Sequence, residues 1–211
     1  MKVRITRNVR PSKRTDRFLR WSRNAFLIAG VLALGYSCFV LLDTKTYQVF
    51  QAIRFEQQLS NSTPPTASAD GAVNRPITTI PGMPLGKIEI TRIGLTAMIM
   101  EGTDARTLRR AVGHVRGTPL PGQQGNVAIA GHRDTFFRPL RNVRNDDEIT
   151  LTTLSGSYRY LVDSTQVVPP EDTKVLDNSD DTTLTLVTCY PFYFVGPAPK
   201  RFIVRAHRIS S

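Results

Sequence analysis

From residue 85 to the end of this 211-residue chain, short runs rich in β-branched and aromatic residues recur at 87–93, 95–100, 126–130, 148–154, 158–168, 182–189 and 202–209. A pleated strand turns successive side chains to opposite faces, so runs of this length and composition predict strands that bury at least one face. Pro121-Gly122, Asn145-Asp146, Ser155-Gly156 and Gly196-Pro197 punctuate them as turns. Between the second and third runs, residues 104–112 (DARTLRRAV) read as one short helix with Asp104 as N-cap. Closely spaced strands with one or two helices predict a small barrel or sandwich, and no internal repeat is visible.

The pattern upstream is different. Residues 25–42 (AFLIAGVLALGYSCFVLL) contain no charged side chain. As a helix they would span about 27 Å, close to the hydrocarbon thickness of a bilayer. Residues 43–59 contain neither Gly nor Pro and read as a helical stalk without a clean apolar stripe, loose or lying on a surface. Residues 60–84 are rich in Ser, Thr, Pro and Ala and read as a flexible linker. The resulting organisation is a basic tail at 1–24, a transmembrane helix at 25–42, a stalk and linker at 43–84 and a folded domain at 85–211.

Charge supports that reading. The formal net charge is +11, but residues 1–24 hold nine Lys/Arg against Asp16 alone, which leaves a mildly basic remainder. Dense cations before an apolar span and few after it predict a cytoplasmic N-terminus and an extracytoplasmic remainder at the cell membrane. Anionic lipid of the inner leaflet accounts for the tail more economically than nucleic acid does. A cleaved signal peptide fits less well, because no small-x-small site follows the apolar run.

The two cysteines are separated by this layout: Cys38 falls in the span and Cys189 in the exported domain, so they cannot pair. A lone exported thiol is either buried and inert or retained for its reactivity. Cys189 ends the run TLTLVTC, and Tyr190-Pro191 follows, where proline terminates a strand's ladder. A side chain at a strand terminus can open onto a groove. As a nucleophile such a thiol needs a base or a nearby cation. His132 also stands at a strand end, after the apolar run 126–130 and a glycine. His114 follows the predicted helix, and His207 lies within the last run. Arg201 immediately precedes that last run, twelve residues after Cys189 across a Pro/Gly-containing loop. Antiparallel pairing of the two runs would bring Cys189 and Arg201 to one edge. A guanidinium there could stabilise a thiolate or a tetrahedral oxyanion.

Thr185–Cys189 (TLVTC) matches the TLxTC signature of the sortase family. Ile129-Ala130-Gly131-His132 matches the segment carrying its histidine, and Arg201 with Phe202-Ile203-Val204 matches its arginine strand. The chain therefore resembles a sortase over residues 85–211, most closely class D. The resemblance implies a mainly β fold, an eight-stranded closed barrel with one or two short helices behind an N-terminal transmembrane helix. It also implies an enzyme without cofactor or metal, in which Cys189 is the nucleophile, His132 the proton carrier and Arg201 the oxyanion stabiliser. The implied substrates are C-terminal LPxTG-like sorting signals of secreted surface proteins. The implied acceptor is an amine, on a peptidoglycan precursor or a pilin lysine.

Thr188, His114 and Tyr190 are further candidates for substrate binding, each with a packing role as the alternative. The acidic clusters at 146–148 and 177–181 lack the spacing of a calcium loop and read as solvated turns. Three other functions compete. A membrane-bound cysteine peptidase would use the same residues with water as acceptor. An L,D-transpeptidase would need a Ser-x-Gly-Cys context that is absent. A non-catalytic membrane-tethered assembly module would leave Cys189 dispensable.

Overall fold

The computed structural model describes residues 13–61 and 80–209, so residues 1–12 of the basic tail and 62–79 of the expected linker lie outside it. The chain divides into two compact units after Lys45. Helix α1, Lys13–Asn61, contributes to both. In the first unit the helix contains the segment Leu19–Phe39, long and apolar enough to cross a membrane and not buried by protein. The helix starts well before the apolar run at residue 25, because Lys, Arg and Leu are good helix formers and no Gly or Pro interrupts residues 13–29.

The second unit is a closed barrel. Its strands are β1 (Pro84–Ile90), β2 (Leu95–Glu101), β3 (Val112–His114), β4 (Asn126–Ala130), β5 (Glu148–Thr153), β6 (Gly156–Val168), β7 (Thr183–Tyr190) and β8 (Lys200–Ile209). They close in the order β1-β2-β3-β4-β7-β8-β6-β5. All neighbours are antiparallel except β2 with β3 and β4 with β7. Closure leaves no free sheet edge. Ile88, Ile99, Val127, Ile129, Leu184 and Leu186 belong to the buried interior, as strand alternation requires.

Strand β3 is absent from the sequence reading. The predicted helix at 104–112 is the shorter α2, Ala105–Arg110, after which Ala111 is already extended. Asp104 caps it, accepting the N–H groups of Arg106 and Thr107 at 3.0 and 3.1 Å. Its carboxyl is held below the usual carboxylate range, first by the Thr107 hydroxyl, which donates at 2.7 Å.

The stalk is bound to the barrel rather than loose. Phe55, only 2 % exposed, packs with Tyr47 and Ala52 against Met98, Met100 and Ala111 on the barrel's outer face. Gln48 completes the seam: Met98 N–H donates to its Oε1 at 3.0 Å, and its Nε2 donates to the Arg110 carbonyl at 2.5 Å. β3 pairs with β2 from Ile99 onward, so Gln48 supplies the partner that the Met98 N–H would otherwise lack.

A second outer cluster, Val168, Val175 and Ile203 with Val187, lies under the loop joining β6 to β7. Buried Asn126 pins that loop. Its Nδ2 donates to the carbonyls of Val175 and Asp177 at 3.1 and 3.0 Å, and its Oδ1 accepts the Thr185 hydroxyl at 2.7 Å. One member of the acidic clusters is not solvated. Asp147 is buried and forms a bidentate ion pair with Arg92, while its Oδ2 accepts the Arg144 N–H at 2.8 Å.

Candidate active site

Cys189 is a half-buried free thiol on the last turn of the pleat of β7. Along that strand Leu184 and Leu186 face the interior, whereas Val187 packs in the outer cluster. Alternation puts Cys189 on the same outer face as Val187, where a substrate can reach it. The antiparallel register of β7 with β8 sets Cys189 directly opposite Arg201, two places beyond the Val187–Ile203 pair. Residues directly opposite in such a ladder have Cα atoms about 4.5–5.5 Å apart and side chains on one face. Arg201 donates from Nη1 to the carbonyls of Ala198 and Lys200 at 3.2 and 3.0 Å, which leaves Nε and Nη2 to point elsewhere.

His132 reaches the same edge from the other side. β4 runs parallel to β7 with Ala130 beside Val187, and the Gly131 N–H extends the ladder by donating to the Val187 carbonyl at 3.1 Å. Two residues past Ala130, His132 comes level with Cys189. Its backbone is anchored twice: the Phe137 N–H donates to its carbonyl at 3.1 Å, and the Phe137 ring lies against Gly131. A Cβ at Gly131 would stand 2.8 Å from that ring, so only glycine permits this approach. The register therefore brings the backbones of the three residues to the ends of β4 and β7 and the start of β8.

Thr188 is 2 % exposed, and its hydroxyl donates to the Gly131 carbonyl at 2.7 Å. It ties the strand carrying Cys189 to the peptide preceding His132. Tyr190 belongs to an aromatic group with Phe192 and Phe202, with centroids 6.1 and 6.3 Å from it, and both partners pack on the barrel core. His114 lies apart. It is level with Ile129 and hence with Leu186, three residues back from Cys189, about 10 Å along the strands. It is buried, with Nδ1 2.8 Å from Glu101 Oε2 and Nε2 3.0 and 3.1 Å from the Pro119 carbonyl and Thr118 hydroxyl. His207 is exposed on the barrel side beside Asp163.

Gly131, Phe137 and Arg133 have no role in the sequence reading. A glycine immediately before a strand-end histidine was the one available signal. The ring that demands it, six residues later, could be assigned only once the turn was folded.

A strand-end cysteine paired in register with an arginine, with a histidine two residues past the neighbouring strand's last pair, is a backbone arrangement compatible with acyl transfer through a covalent intermediate. The comparisons agree with this chemistry. The model of the sortase domain matches residues 88–209. Sortase D of Bacillus subtilis (strain 168) is 34 % identical over 194 residues, covering 87 % of this chain and 96 % of that protein. The solved structure of a Clostridium perfringens Sortase D5 transpeptidase superposes with a TM-score of 0.55 at 35 % identity, over 60 % of this chain and 79 % of that one. Sortase A from Corynebacterium diphtheriae gives 0.58 at 36 % identity, over 62 % of each chain. On the strength of the barrel and of these matches, the chain belongs to the sortase family and is a cysteine transpeptidase.

Proposed function

We propose that this sortase is a single-pass membrane enzyme, N-terminus in the cytoplasm, whose barrel works outside the membrane on C-terminal LPxTG-like sorting signals of surface proteins. The observation that carries the site assignment is the register that pairs Cys189 with Arg201 and brings His132 alongside. With its thiol proton passed to His132, the Cys189 sulfur attacks the carbonyl carbon of the signal's threonine. The carbonyl oxygen becomes an oxyanion facing Arg201. As the C–N bond breaks, His132 gives its proton to the departing amine, leaving a thioester on Cys189. An incoming amine then attacks the thioester, His132 takes its proton, and the sulfur leaves with its electron pair. The acceptor is an amine of a peptidoglycan precursor or a pilin lysine.

Support for the membrane placement comes from the apolar part of α1 and from the cations that precede it. Thr188 and Tyr190 belong to the same rim: Thr188 holds the two strand ends together, and Tyr190 borders the acyl-binding groove. His114, with both ring nitrogens already engaged, belongs to the barrel wall. The proposal is tested by incubating the full chain in detergent with a library of LPxTx peptides and an amine, following products by mass. Amide products from one pentapeptide class support it. Hydrolysis products alone, with the amine unused, would make the protein a cysteine peptidase. No turnover of any peptide, together with an inert Cys189, would make it an assembly module.

A further inference from the structure

The loop that connects the proposed nucleophile to the proposed oxyanion donor, residues 191–199, makes few backbone hydrogen bonds of its own; within it Phe194 N–H donates to Pro191 at 3.3 Å. Its carbonyls turn instead toward two arginines. Arg201 takes Ala198 and the first residue of β8, Lys200. The rest of the loop is held from across the site by Arg133, the residue next to His132. Arg133 Nη1 donates to the Pro191 carbonyl at 3.0 Å, and Nη2 donates to Phe194 and Gly196 at 2.6 and 3.0 Å. The guanidinium carbon also sits 5.8 Å from the Phe194 ring centroid. Further along the same segment, Arg141 donates to the Tyr193 hydroxyl at 3.0 Å.

We propose that Arg133 is a positioning residue for the transfer reaction: it clamps the β7–β8 loop to the segment bearing His132, and thereby fixes Arg201 and Cys189 relative to the imidazole. The inference rests on the site reading given above. The physical basis is the guanidinium's planar fork, which offers several donors in a fixed geometry and keeps its charge at every physiological pH. One group thus reaches three carbonyls from two nitrogens held apart in a rigid fork, whereas the three donors of an ammonium share a single nitrogen and span less. Strands β4 and β7 end at Ala130 and Tyr190. Beyond them, the Arg133 clamp joins the segment after β4 to the loop after β7 with three hydrogen bonds, and Arg141 adds one to Tyr193. A loop released from Arg133 gains conformational freedom, and Arg201, whose Nη1 is bonded to that loop, is released with it. Misplacing a reacting group by about 1 Å costs about 100-fold in rate.

The test compares the full chain with Arg133→Lys and Arg133→Gln, with Cys189→Ala in parallel, in detergent with a turned-over sorting peptide and an amine. The expected result is a fall in kcat of at least about tenfold in both variants, with the KM for peptide little changed. Amide hydrogen exchange should accelerate at Phe194, whose N–H donates within the loop, while β4, β7 and β8 keep their protection. Unchanged loop exchange would show that Arg133 does not hold the loop and would overturn the proposal. Faster loop exchange with wild-type kcat would overturn it too, as would a rise in KM alone, which would mark a peptide contact. Lost protection throughout the barrel would make Arg133 part of the fold and equally end the proposal. Turnover by Cys189→Ala would refute the site reading itself, independently of the clamp.

Discussion

At the scale of single residues, the two buried or half-buried histidines of the barrel differ in what surrounds them. His132 stands just past the end of β4 with its main chain anchored, whereas both ring nitrogens of His114 are engaged inside the wall. Substituting each by alanine should separate chemistry from folding. His132→Ala is expected to lower kcat by about 10²–10⁴-fold with little change in Tm. His114→Ala should leave buried partners unpaired and lose about 1–3 kcal/mol of stability for each group stranded, with turnover per folded molecule retained. Thermal melts and steady-state kinetics on the same samples check both; the reverse outcome would move the proton carrier to His114. Gly131→Ala offers a third reading of the site. Its Cβ would meet the Phe137 ring at 2.8 Å, so either the ring or the peptide ahead of His132 must move. Lower kcat with a folded barrel is the expected outcome. These roles were unevenly legible in sequence. Cys189, His132 and Arg201 stood out because each ends or begins an apolar run. Thr188 and His114 did not separate packing from function, because that depends on which buried acceptor each one meets across the fold.

At the scale of elements, the strands were readable and their accessories were not. Seven runs of alternating residues mark seven strands to within a few residues. β3, only Val112–His114, is too short to show a period, and it follows a helix whose pattern runs into it. The stalk helix and its surface-lying option are legible in sequence, but the residues that dock it are not. Among the described residues, Tyr47, Ala52 and Phe55 pack in the cluster on the barrel, short of a full stripe, and Gln48 adds hydrogen bonds. Phe55→Ala should therefore destabilise the barrel unit by about 2–3 kcal/mol, the worth of a buried aromatic side chain, as a fall in Tm. The acidic neighbours of Asp147 suggest a solvated turn, but Asp147 is buried and paired with Arg92, fifty-five residues away in sequence. Hydrogen bonding from Arg92, against the opposing effect of burial, lowers the Asp147 carboxyl below its usual range, with the Arg144 N–H assisting. A carboxyl lower in the native than in the unfolded state contributes stability above its unfolded value near pH 4, and that contribution is lost as pH falls through the native value. The difference in Tm between wild type and Asp147→Asn should thus be full at pH 7 and shrink below about pH 4. A difference constant from pH 7 to 3 would contradict the assigned ion pair.

At the scale of the whole molecule, composition alone was misleading and its distribution was informative. A net charge of +11 suggests a nucleic-acid binder until most of it is found ahead of an apolar helix. The barrel then behaves as an ordinary small β-domain, with the proposed reaction rim where two parallel strand ends, β4 and β7, meet the start of an antiparallel third. Membership of the sortase family fixes the class of chemistry, and what remains to be tested is where on this chain it occurs. The most direct measurement is intact and peptide-level mass spectrometry of the full chain after brief exposure to an LPxTG peptide without an amine acceptor. The account predicts a mass gain equal to the peptide's acyl portion, located on the fragment holding Cys189, with the C-terminal piece released and neither event in Cys189→Ala. An acyl adduct on another residue, or release of that piece by Cys189→Ala, would contradict it.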